Sequence, residues 1–280
     1  MKIKALFLTV AVLFVSSCSS SKLKEPTPNE KKAEVYYGQG TTELVNKNYP
    51  QALIYLTQAK ELDPKDSKIR NNLGMAYYFR NQHELAEKEM KSAIDLDAKN
   101  SDARVNLGAL YMEKNRFKEA RVQFEKVLED LTFQAQYRNY YNLAIVSLKE
   151  GDRREAFEFL AKSIKEKDNY CPAYFKQGEL YNEEYRFKQA LDAFKEATKG
   201  TCVSDPSAHY QQALALVNLN RPLEAKRKFQ EIFEKFPTTR FGAMASAQIK
   251  KLSNSNDEQQ STRATQTEVI KSQSGETPNF

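Results

Sequence analysis

Cysteine and histidine are the residue types in this chain that could supply nucleophilic or metal-binding chemistry, and there are few of them. The sequence has three cysteines and two histidines in 280 residues. His83 and His209 are far apart, and neither has a Ser, Cys or carboxylate at the spacing of a nucleophile–base pair or a metal site. No glycine-rich phosphate loop is present in the sequence. The pattern predicts a non-enzyme with no catalytic residues, no metal and no small-molecule substrate.

The first cysteine, Cys18, lies at the end of an N-terminal targeting segment. Lys2 and Lys4 precede an apolar run over residues 5–15, and two small residues then lead to Cys18. This order is typical of a secretory signal peptide. This run of eleven residues is too short for a hydrocarbon core that needs about 20. An ordinary signal peptide, cleaved after a small residue, is one explanation.

A second explanation is lipidation, because Val15-Ser16-Ser17-Cys18 resembles the bacterial lipobox. The resemblance implies that the Cys18 thiol receives a diacylglyceryl group and that Cys18 becomes the acylated N-terminus. Each buried CH₂ of an acyl chain contributes about 0.8 kcal/mol, so the chains together form a durable anchor. Ser19, and not Asp, follows Cys18. By resemblance to the sorting rule of Gram-negative lipoproteins, this favours the outer membrane, on its periplasmic side. No cofactor is expected besides this covalent lipid.

Cys171 and Cys202 remain as an even pair once Cys18 carries the lipid. An exported chain meets an oxidising compartment, where such pairs form disulfides. Cys171 opens one predicted helix and Cys202 follows the end of the next, antiparallel helix, so the two ends are neighbours. A Cα separation of about 5.5–6 Å is then plausible. The sequence predicts a disulfide between Cys171 and Cys202, and two free thiols are the alternative.

The charge balance excludes one class of partner. Loss of Lys2 and Lys4 with the signal lowers the formal net charge from +6 to +4. The basic residues form no stripe interleaved with aromatic residues, so the surface is a mixed, solvated one. Nucleic acid is therefore not an expected partner.

The rest of the chain is organised by an internal repeat. Residues 72–77 (Asn-Leu-Gly-Met-Ala-Tyr) recur at 106–111 as Asn-Leu-Gly-Ala-Leu-Tyr. In the same register, alanines recur at intervals of 34 to 36 residues, and a large apolar residue follows each of them by four. These alanines are Ala52, Ala86, Ala120, Ala156, Ala190 and Ala225. The period and the residue pattern match the tetratricopeptide repeat (TPR), a helix A and a helix B joined by a short turn.

The repeat predicts an all-α fold, a right-handed TPR superhelix of about six helix–turn–helix repeats with a C-terminal capping helix. Small residues on helix A let helix B approach closely, and they recur at Gly40, Gly74, Gly108, Ala144, Gly178 and Ala213. The predicted segments are a signal peptide (1–17), a lipidated N-terminus and linker (18–32), six repeats (33–66, 67–100, 101–136, 137–170, 171–205 and 206–237), a capping helix (238–252) and a disordered tail (253–280). The tail is polar, with almost no apolar residues to bury.

An irregularity between the third and fourth repeats narrows the family. The junction is two residues longer than its neighbours and contains Phe133, Tyr137 and Arg138 before Asn142-Leu143-Ala144. It resembles the type IV pilus biogenesis TPR lipoproteins, in which an elongated aromatic junction precedes Asn-Leu-Gly; here Ala144 replaces the glycine. The resemblance spans about residues 15 to 252, and the tail has no counterpart in it. It implies a pilotin, an outer-membrane lipoprotein that helps a secretin subunit reach that membrane and form the ring through which pili pass.

The resemblance to TPR superhelices also implies a partner-binding groove along the concave face of the A helices. The predicted groove residues are Tyr37, Leu44, Asn71, Met75, Tyr78, Phe79, Val105, Met112, Tyr141, Ile145, Phe175, Asn182, Tyr210, Leu214 and Val217. Apolar and aromatic residues predominate, which suits an amphipathic helix or an extended apolar segment of a partner. The alternative is that many of them pack between adjacent repeats. Tyr37 and Thr41 occupy positions where carboxylate-binding TPR adaptors have Lys and Asn, so an acidic C-terminal peptide is disfavoured.

Fold alone leaves the partner open. The expected partner is a protein, a secretin subunit or another envelope protein, and the lipid provides contact with the membrane. A general periplasmic adaptor that recruits peptidoglycan-remodelling enzymes is the main alternative to a pilotin. A chaperone for envelope cargo is a third.

Overall fold

The computed structural model describes residues 25–254, in which every regular element is a helix. Antiparallel pairs follow one another along the chain: α1 (Pro28–Val45) with α2 (Tyr49–Leu62), α3 (Ser67–Phe79) with α4 (His83–Leu96), α5 (Ser101–Glu113) with α6 (Phe117–Val127), α7 (Gln136–Glu150) with α8 (Arg153–Glu166), α9 (Cys171–Glu183) with α10 (Phe187–Ala197), and α11 (Pro206–Asn218) with α12 (Pro222–Lys235). A 3₁₀ turn, Gly200–Cys202, precedes α11, and a terminal helix covers 240–254. The first pair belongs to one unit, which ends at Lys65, and the other pairs belong to a second unit, which begins at Asp66.

Side-chain caps determine where several helices begin. The Thr27 side chain accepts a hydrogen bond from the Glu30 N–H while the Glu30 carboxylate accepts one from the Thr27 N–H, a capping box that starts α1 at Pro28. Residues 28–32 were predicted to be linker, so this boundary is corrected. Asp66 caps α3 in a similar way, through the backbone N–H groups of Lys68 and Ile69.

The far end of the described chain needs a second correction. The terminal helix continues through Ser253 and Asn254, which were predicted to begin the tail. The Ser253 hydroxyl donates to the Ile249 carbonyl at 2.9 Å, one turn back, so a serine is accommodated without ending the helix.

The turns between the two helices of a pair are tight because one residue in each adopts a left-handed conformation. That residue is Lys47, Asn81, Asn115, Gly151, Tyr185 or Asn220 in successive repeats. Asparagine and glycine tolerate this conformation well, whereas a bulky residue such as Tyr185 does so at a cost.

In four of the pairs, a glycine of the first helix meets a large side chain of the second. A methyl group built on Gly40 would lie 2.6 Å from Leu56 Cγ, and one built on Gly108 would lie 2.5 Å from Phe124 Cε1. Gly74 with Met90 and Gly178 with Phe194 show the same fit. The large residue is almost wholly buried in every case. The series of small residues predicted from the sequence therefore marks the closest approach of the paired helices.

Polar contacts tie neighbouring repeats of the second unit together, and the pairing residues change from one junction to the next. Arg116 donates to Glu87 at 2.8 Å, from the third repeat to the second. At the next junction the charges are exchanged, and Arg121 of the third repeat donates to Glu155 of the fourth at 2.7 Å. Arg186 of the fifth repeat instead lies over the Tyr181 ring, at 4.5 Å, and over Phe157 of the fourth, at 5.8 Å.

A disulfide joins Cys171, the first residue of α9, to Cys202 in the 3₁₀ turn, with Cα atoms 6.1 Å apart. The loop that carries Cys202 also contacts the sixth repeat. The Val203 carbonyl accepts a hydrogen bond from Lys235 Nζ at 3.2 Å and lies 3.1 Å from His209 Nε2. The His209 ring lies 5.8 Å from that of Phe236. Burial lowers the pKa of His209, so the neutral ring is favoured.

The longer junction between the third and fourth repeats is an ordered loop. Gln136 Nε2 donates to the carbonyls of Val127 at 2.8 Å and Asp130 at 3.0 Å, which closes the loop from its end. The buried Asn139 amide donates to the Phe124 carbonyl at 2.9 Å, so the fourth repeat is anchored to α6. Leu131 at the loop tip is 93% exposed.

The small residues of α1 allow a matched test of the helix contact. Gly38→Ala is expected to stabilise the protein by about 0.5–1 kcal/mol, because nothing lies within 4 Å of the added methyl and alanine favours helix. Gly40→Ala brings the same helical gain but overpacks Leu56, at a cost of about 1–3 kcal/mol. In thermal unfolding followed by circular dichroism, the melting temperature of Gly38→Ala should therefore be higher than that of wild type. The melting temperature of Gly40→Ala should be lower than that of Gly38→Ala. Equal stabilisation by both would contradict the close contact.

The Glu87 tie predicts a defined loss of stability in acid. Burial alone would raise the pKa of Glu87, but hydrogen bonds from Lys91 and Arg116 outweigh it and lower the pKa from 4.5 to about 2. Because the pKa is lower in the folded state, this contribution to the free energy of unfolding is complete above pH 4.5 and disappears as pH falls toward 2. Chemical unfolding at several pH values should show a shallower acid loss for Glu87→Gln than for wild type.

Glu158→Gln is the control for that measurement. Glu158 is exposed and forms no ion pair within the described part of the chain. Its replacement should leave the slope between pH 4.5 and 2 as in wild type. The same flattening in both variants would show that general surface charge, and not the Glu87 tie, sets the acid sensitivity.

Candidate partner-binding face

The predicted groove residues lie on the first helix of each repeat. In the first unit, Tyr37 and Leu44 are half-buried on α1. In the second unit, the predicted residues lie on α3, α5, α7, α9 and α11, and this set of surfaces is called the first-helix face. Its half-buried members are Met75, Tyr78, Val105, Met112, Tyr141, Ile145, Phe175, Asn182, Leu214 and Val217.

Half-burial arises because these side chains rest on the core on one side and meet solvent on the other. Met75, Tyr78, Val105 and Met112 all pack against the core cluster that runs from the second to the fifth repeat. Phe79 projects furthest and is 43% exposed. These residues therefore pack between repeats and also present an apolar stripe on the second to fourth repeats; binding of a partner there stays a prediction.

Side-chain amides link the first helices across two junctions. Asn106 Nδ2 donates to Asn71 Oδ1 at 2.9 Å, and Asn218 Nδ2 donates to Asn182 Oδ1 at 3.2 Å. Asn71 is only 5% exposed, and its own amide donates to Asn72. Asn71 was predicted to bind a partner, but its side chain is buried in this amide chain, so its role is structural.

A polar cluster interrupts the apolar stripe between the second and third repeats. The Tyr78 hydroxyl donates to Glu113 Oε2 at 2.5 Å, and His83 Nε2 lies 3.8 Å from Glu113 Oε1. That hydrogen bond, followed by burial and the negative charge of Glu113, raises the pKa of Tyr78 to about 12. The sequence reasoning found no carboxylate near His83, because Glu113 is thirty residues away and approaches only when the repeats stack.

Tyr210 is the clearest error in the predicted groove. It occupies the same repeat position as Val105 and Tyr141, yet it is only 4% exposed. Its ring lies 5.5 Å from that of Phe229 and 5.6 Å from that of Phe241 in the terminal helix. The terminal helix covers this end of the repeat array and buries the position, so Tyr210 belongs to the core.

A depression between α7 and α9 contains face residues that the prediction missed. It has a volume of about 390 Å³ and is lined by Ile145, Leu148, Lys149, Gly151, Arg153, Lys176, Leu180 and Glu183. Ile145 was predicted, but Leu148 was not, although it holds the repeat position of Tyr78 and Met112. A strict count of repeat positions would have found it. Arg153 and Glu183 pair across the rim at 2.8 Å.

Two further observations concern residues 25–254 as a whole. None of the helices in that range is both long and apolar enough to cross a bilayer. No group of three or more His, Cys, Asp or Glu side chains in that range is arranged to hold a metal ion. Cys18, the predicted lipidation residue, lies outside the described residues.

Comparison with known proteins identifies the repeat. Models of the tetratricopeptide repeat match residues 81–144, 137–170 and 207–239. Together with the antiparallel helix pairs, these matches define the class of protein: the chain has the all-α tetratricopeptide-repeat fold, as the sequence predicted.

Individual relatives point to pilus biogenesis proteins. The chain is 23% identical over 183 residues to the type IV pilus assembly protein PilF of Pseudomonas aeruginosa. The aligned region covers 64% of this chain and 73% of PilF. A solved structure of P. aeruginosa PilF superposes with a TM-score of 0.69 at 19% identity, and the superposition covers 79% of this chain and 99% of PilF. PilW, a widely conserved type IV pilus biogenesis factor, gives 0.67 at 19% identity over 76% of this chain and 97% of PilW. The resemblance predicted from the sequence is confirmed.

Proposed function

We propose that this chain is a lipid-anchored scaffold of the outer membrane that acts as a pilotin, binding a secretin subunit and supporting type IV pilus biogenesis. The observation that carries the proposal is the similarity to PilF, which extends over 183 residues and so includes most of the repeats. A match to one repeat alone would be shared with TPR proteins of unrelated roles. The superposition on PilF and PilW over three quarters of the chain supports it.

The first-helix face is the surface we assign to the secretin subunit. Its stripe on the second to fourth repeats is apolar, with Phe79 exposed and Met75 and Met112 half-buried against the core. Methionine side chains adapt to the shape of a partner, and aromatic residues contribute strongly at interfaces. Another tetratricopeptide protein of known structure, YrrB, has an unusual peptide-binding site and superposes on 69% of this chain with a TM-score of 0.51. That precedent supports peptide binding by such a fold.

The anchor is tested by Cys18→Ala. We expect this variant to remain unprocessed or to become soluble, because no acyl chain can be attached, and it should no longer sediment with the outer membrane. Fractionation with immunoblotting measures this. Ser19→Ala is a suitable control, since it leaves the thiol in place and should be processed normally. An outer-membrane-bound, normally processed Cys18→Ala protein would remove lipidation from the proposal.

The interface is tested by placing a charge on the first-helix face. Phe79→Glu should strongly reduce the heat-resistant secretin multimer on a gel while secretin monomer remains, because an unpaired charge buried against an apolar partner is unfavourable. Leu85→Glu is the matched control: Leu85 lies on α4 of the same repeat and is also 43% exposed. It should support normal multimer. Helical circular dichroism of both variants checks the fold.

The deletion strain decides between the candidate functions. Loss of the chain should leave secretin monomers at normal expression and abolish pilus assembly. Normal multimers and normal pili in that strain would contradict the pilotin role. They would favour a general periplasmic adaptor for peptidoglycan-remodelling enzymes.

A further inference from the structure

A second surface lies away from the first-helix face. It is found by comparing one pair of equivalent positions in successive repeats. A side chain in the first half of the first helix faces one on the second helix of the same repeat. Tyr36 stacks on Tyr55 at 6.3 Å, and Arg70 pairs with Glu89 at 3.0 Å. Later, Arg104 donates to Gln123 at 3.1 Å, and Tyr140 stacks on Phe159 at 6.3 Å. In these four repeats, the two positions fill the space between their helices.

The fifth repeat breaks this rule. Its first position is Tyr174, but the second is Ala193, which leaves no side chain to face the tyrosine. Gln177 adds to the difference, because the second, third and fourth repeats have leucine at that position: Leu73, Leu107 and Leu143. The result is an open cavity of about 410 Å³ between α9 and α10, lined by Tyr174, Gln177, Tyr181 and Ala193 and rimmed by Gln189, Asp192, Lys195 and Glu196.

The cavity is chemically suited to a cation. In the fourth repeat, Lys162 lies 6.0 Å from the centre of the Tyr140 ring and 5.1 Å from that of Phe159. The fifth repeat has Glu196 at the position of Lys162, so the aromatic ring is retained while the nearby charge is reversed. Asp192 makes no ion pair within the described residues, whereas Glu196 pairs with Lys199 at 2.6 Å. Burial and then the charges of Glu196 and Asp168 raise the pKa of Tyr174, against the opposing effect of Lys199.

The adjoining surface shows which cation such a lining accepts. Tyr181 lines both surfaces, and Arg186 places a guanidinium 4.5 Å from the centre of its ring. The same guanidinium donates to Gln189 Oε1 at 2.9 Å and to Glu184 Oε2 at 2.8 Å. A tyrosine face, an amide oxygen and a carboxylate therefore hold an arginine in this repeat. Besides Tyr181 and Gln189, which Arg186 contacts, the cavity has a second tyrosine ring, amide and carboxylate in Tyr174, Gln177 and Asp192.

We propose that the cavity between α9 and α10 is a binding site for an arginine side chain of a protein partner. The guanidinium would stack on the Tyr174 ring and donate to Gln177 and Asp192, because its planar fork suits both contacts better than a lysine ammonium. Tyr174 and Tyr181 project from α9 about 100° away from Phe175 and Asn182 of the first-helix face. The site is therefore separate from the proposed secretin-binding surface and does not depend on the pilus role.

The probe is an acetylated and amidated tripeptide with arginine between two glycines. Its binding to the alanine-methyl-labelled full chain in detergent is followed by NMR at Ala193 and Ala197. The arginine tripeptide should shift these signals saturably. Replacing arginine by citrulline, which has the same shape without the charge, should weaken binding about fivefold. No saturable shift, or equal binding of citrulline, would overturn the proposal. So would tighter binding of a phenylalanine tripeptide, which would mean that the cavity accepts an apolar ring.

Variants of the chain give a second, independent test. Asp192→Asn should weaken the arginine tripeptide about threefold, whereas Glu158→Gln, at the same position of the fourth repeat, should not. Ala193→Phe recreates the Tyr140–Phe159 pair and should abolish binding, read at Ala197, while helical circular dichroism is unchanged. Retained binding in a folded Ala193→Phe protein would contradict the site. If that variant does not fold, the comparison of Asp192→Asn with Glu158→Gln still decides, because equal effects would overturn the assignment.

Discussion

The contact on which the rest of the structure depends is that between a small residue of the first helix and a large residue of the second. Gly40 against Leu56 and Gly108 against Phe124 leave no space for even a methyl group. Because this contact recurs at nearly constant intervals, the two helices of each pair meet in the same register. Every other position then has a fixed kind of neighbour. Some positions face the partner helix, some the next repeat, and some only solvent, so the faces of the molecule follow from one steric fit.

Residues at the junctions between repeats are less constrained than those at the helix contact. In the second unit, the residues that pair across a junction differ from one junction to the next. Arg116 of the third repeat pairs with Glu87 of the second. The position equivalent to Glu87 in the third repeat is Arg121, which pairs with Glu155 of the fourth. Stacking the third repeat against a copy of itself would place arginine against arginine and leave their carboxylates unpaired. At the following junction Arg186 finds the Phe157 ring. Repulsion between wrong neighbours therefore helps to fix the order of the repeats, in addition to the attraction between correct ones.

Features that depend on one repeat were predictable from sequence, and features that depend on two were not. The helix pairs follow from the Ala and Gly series, because each contact lies within about sixteen residues of chain. Burial of Tyr210 could not be read from its repeat position, since that required knowing that Phe241 of the terminal helix covers it. The contact of Tyr78 and His83 with Glu113 likewise forms only across stacked repeats. The Leu148 omission was different, because repeat counting alone locates it.

At positions outside this steric fit, one repeat can differ from the others without losing the fold. Function is best sought where a repeat differs from the others at such positions. The first-helix face differs from the other surfaces by being apolar on the second to fourth repeats. The fifth repeat differs from the first four by placing Ala193 opposite Tyr174. These two surfaces lie on different faces, so one partner could occupy both only with a segment that passes around the edge of the array. Such a partner would gain from the second contact as an intramolecular event, and losing either contact would then reduce its affinity to that of the remaining contact alone. Two separate partners would instead respond independently, each to changes on its own surface alone.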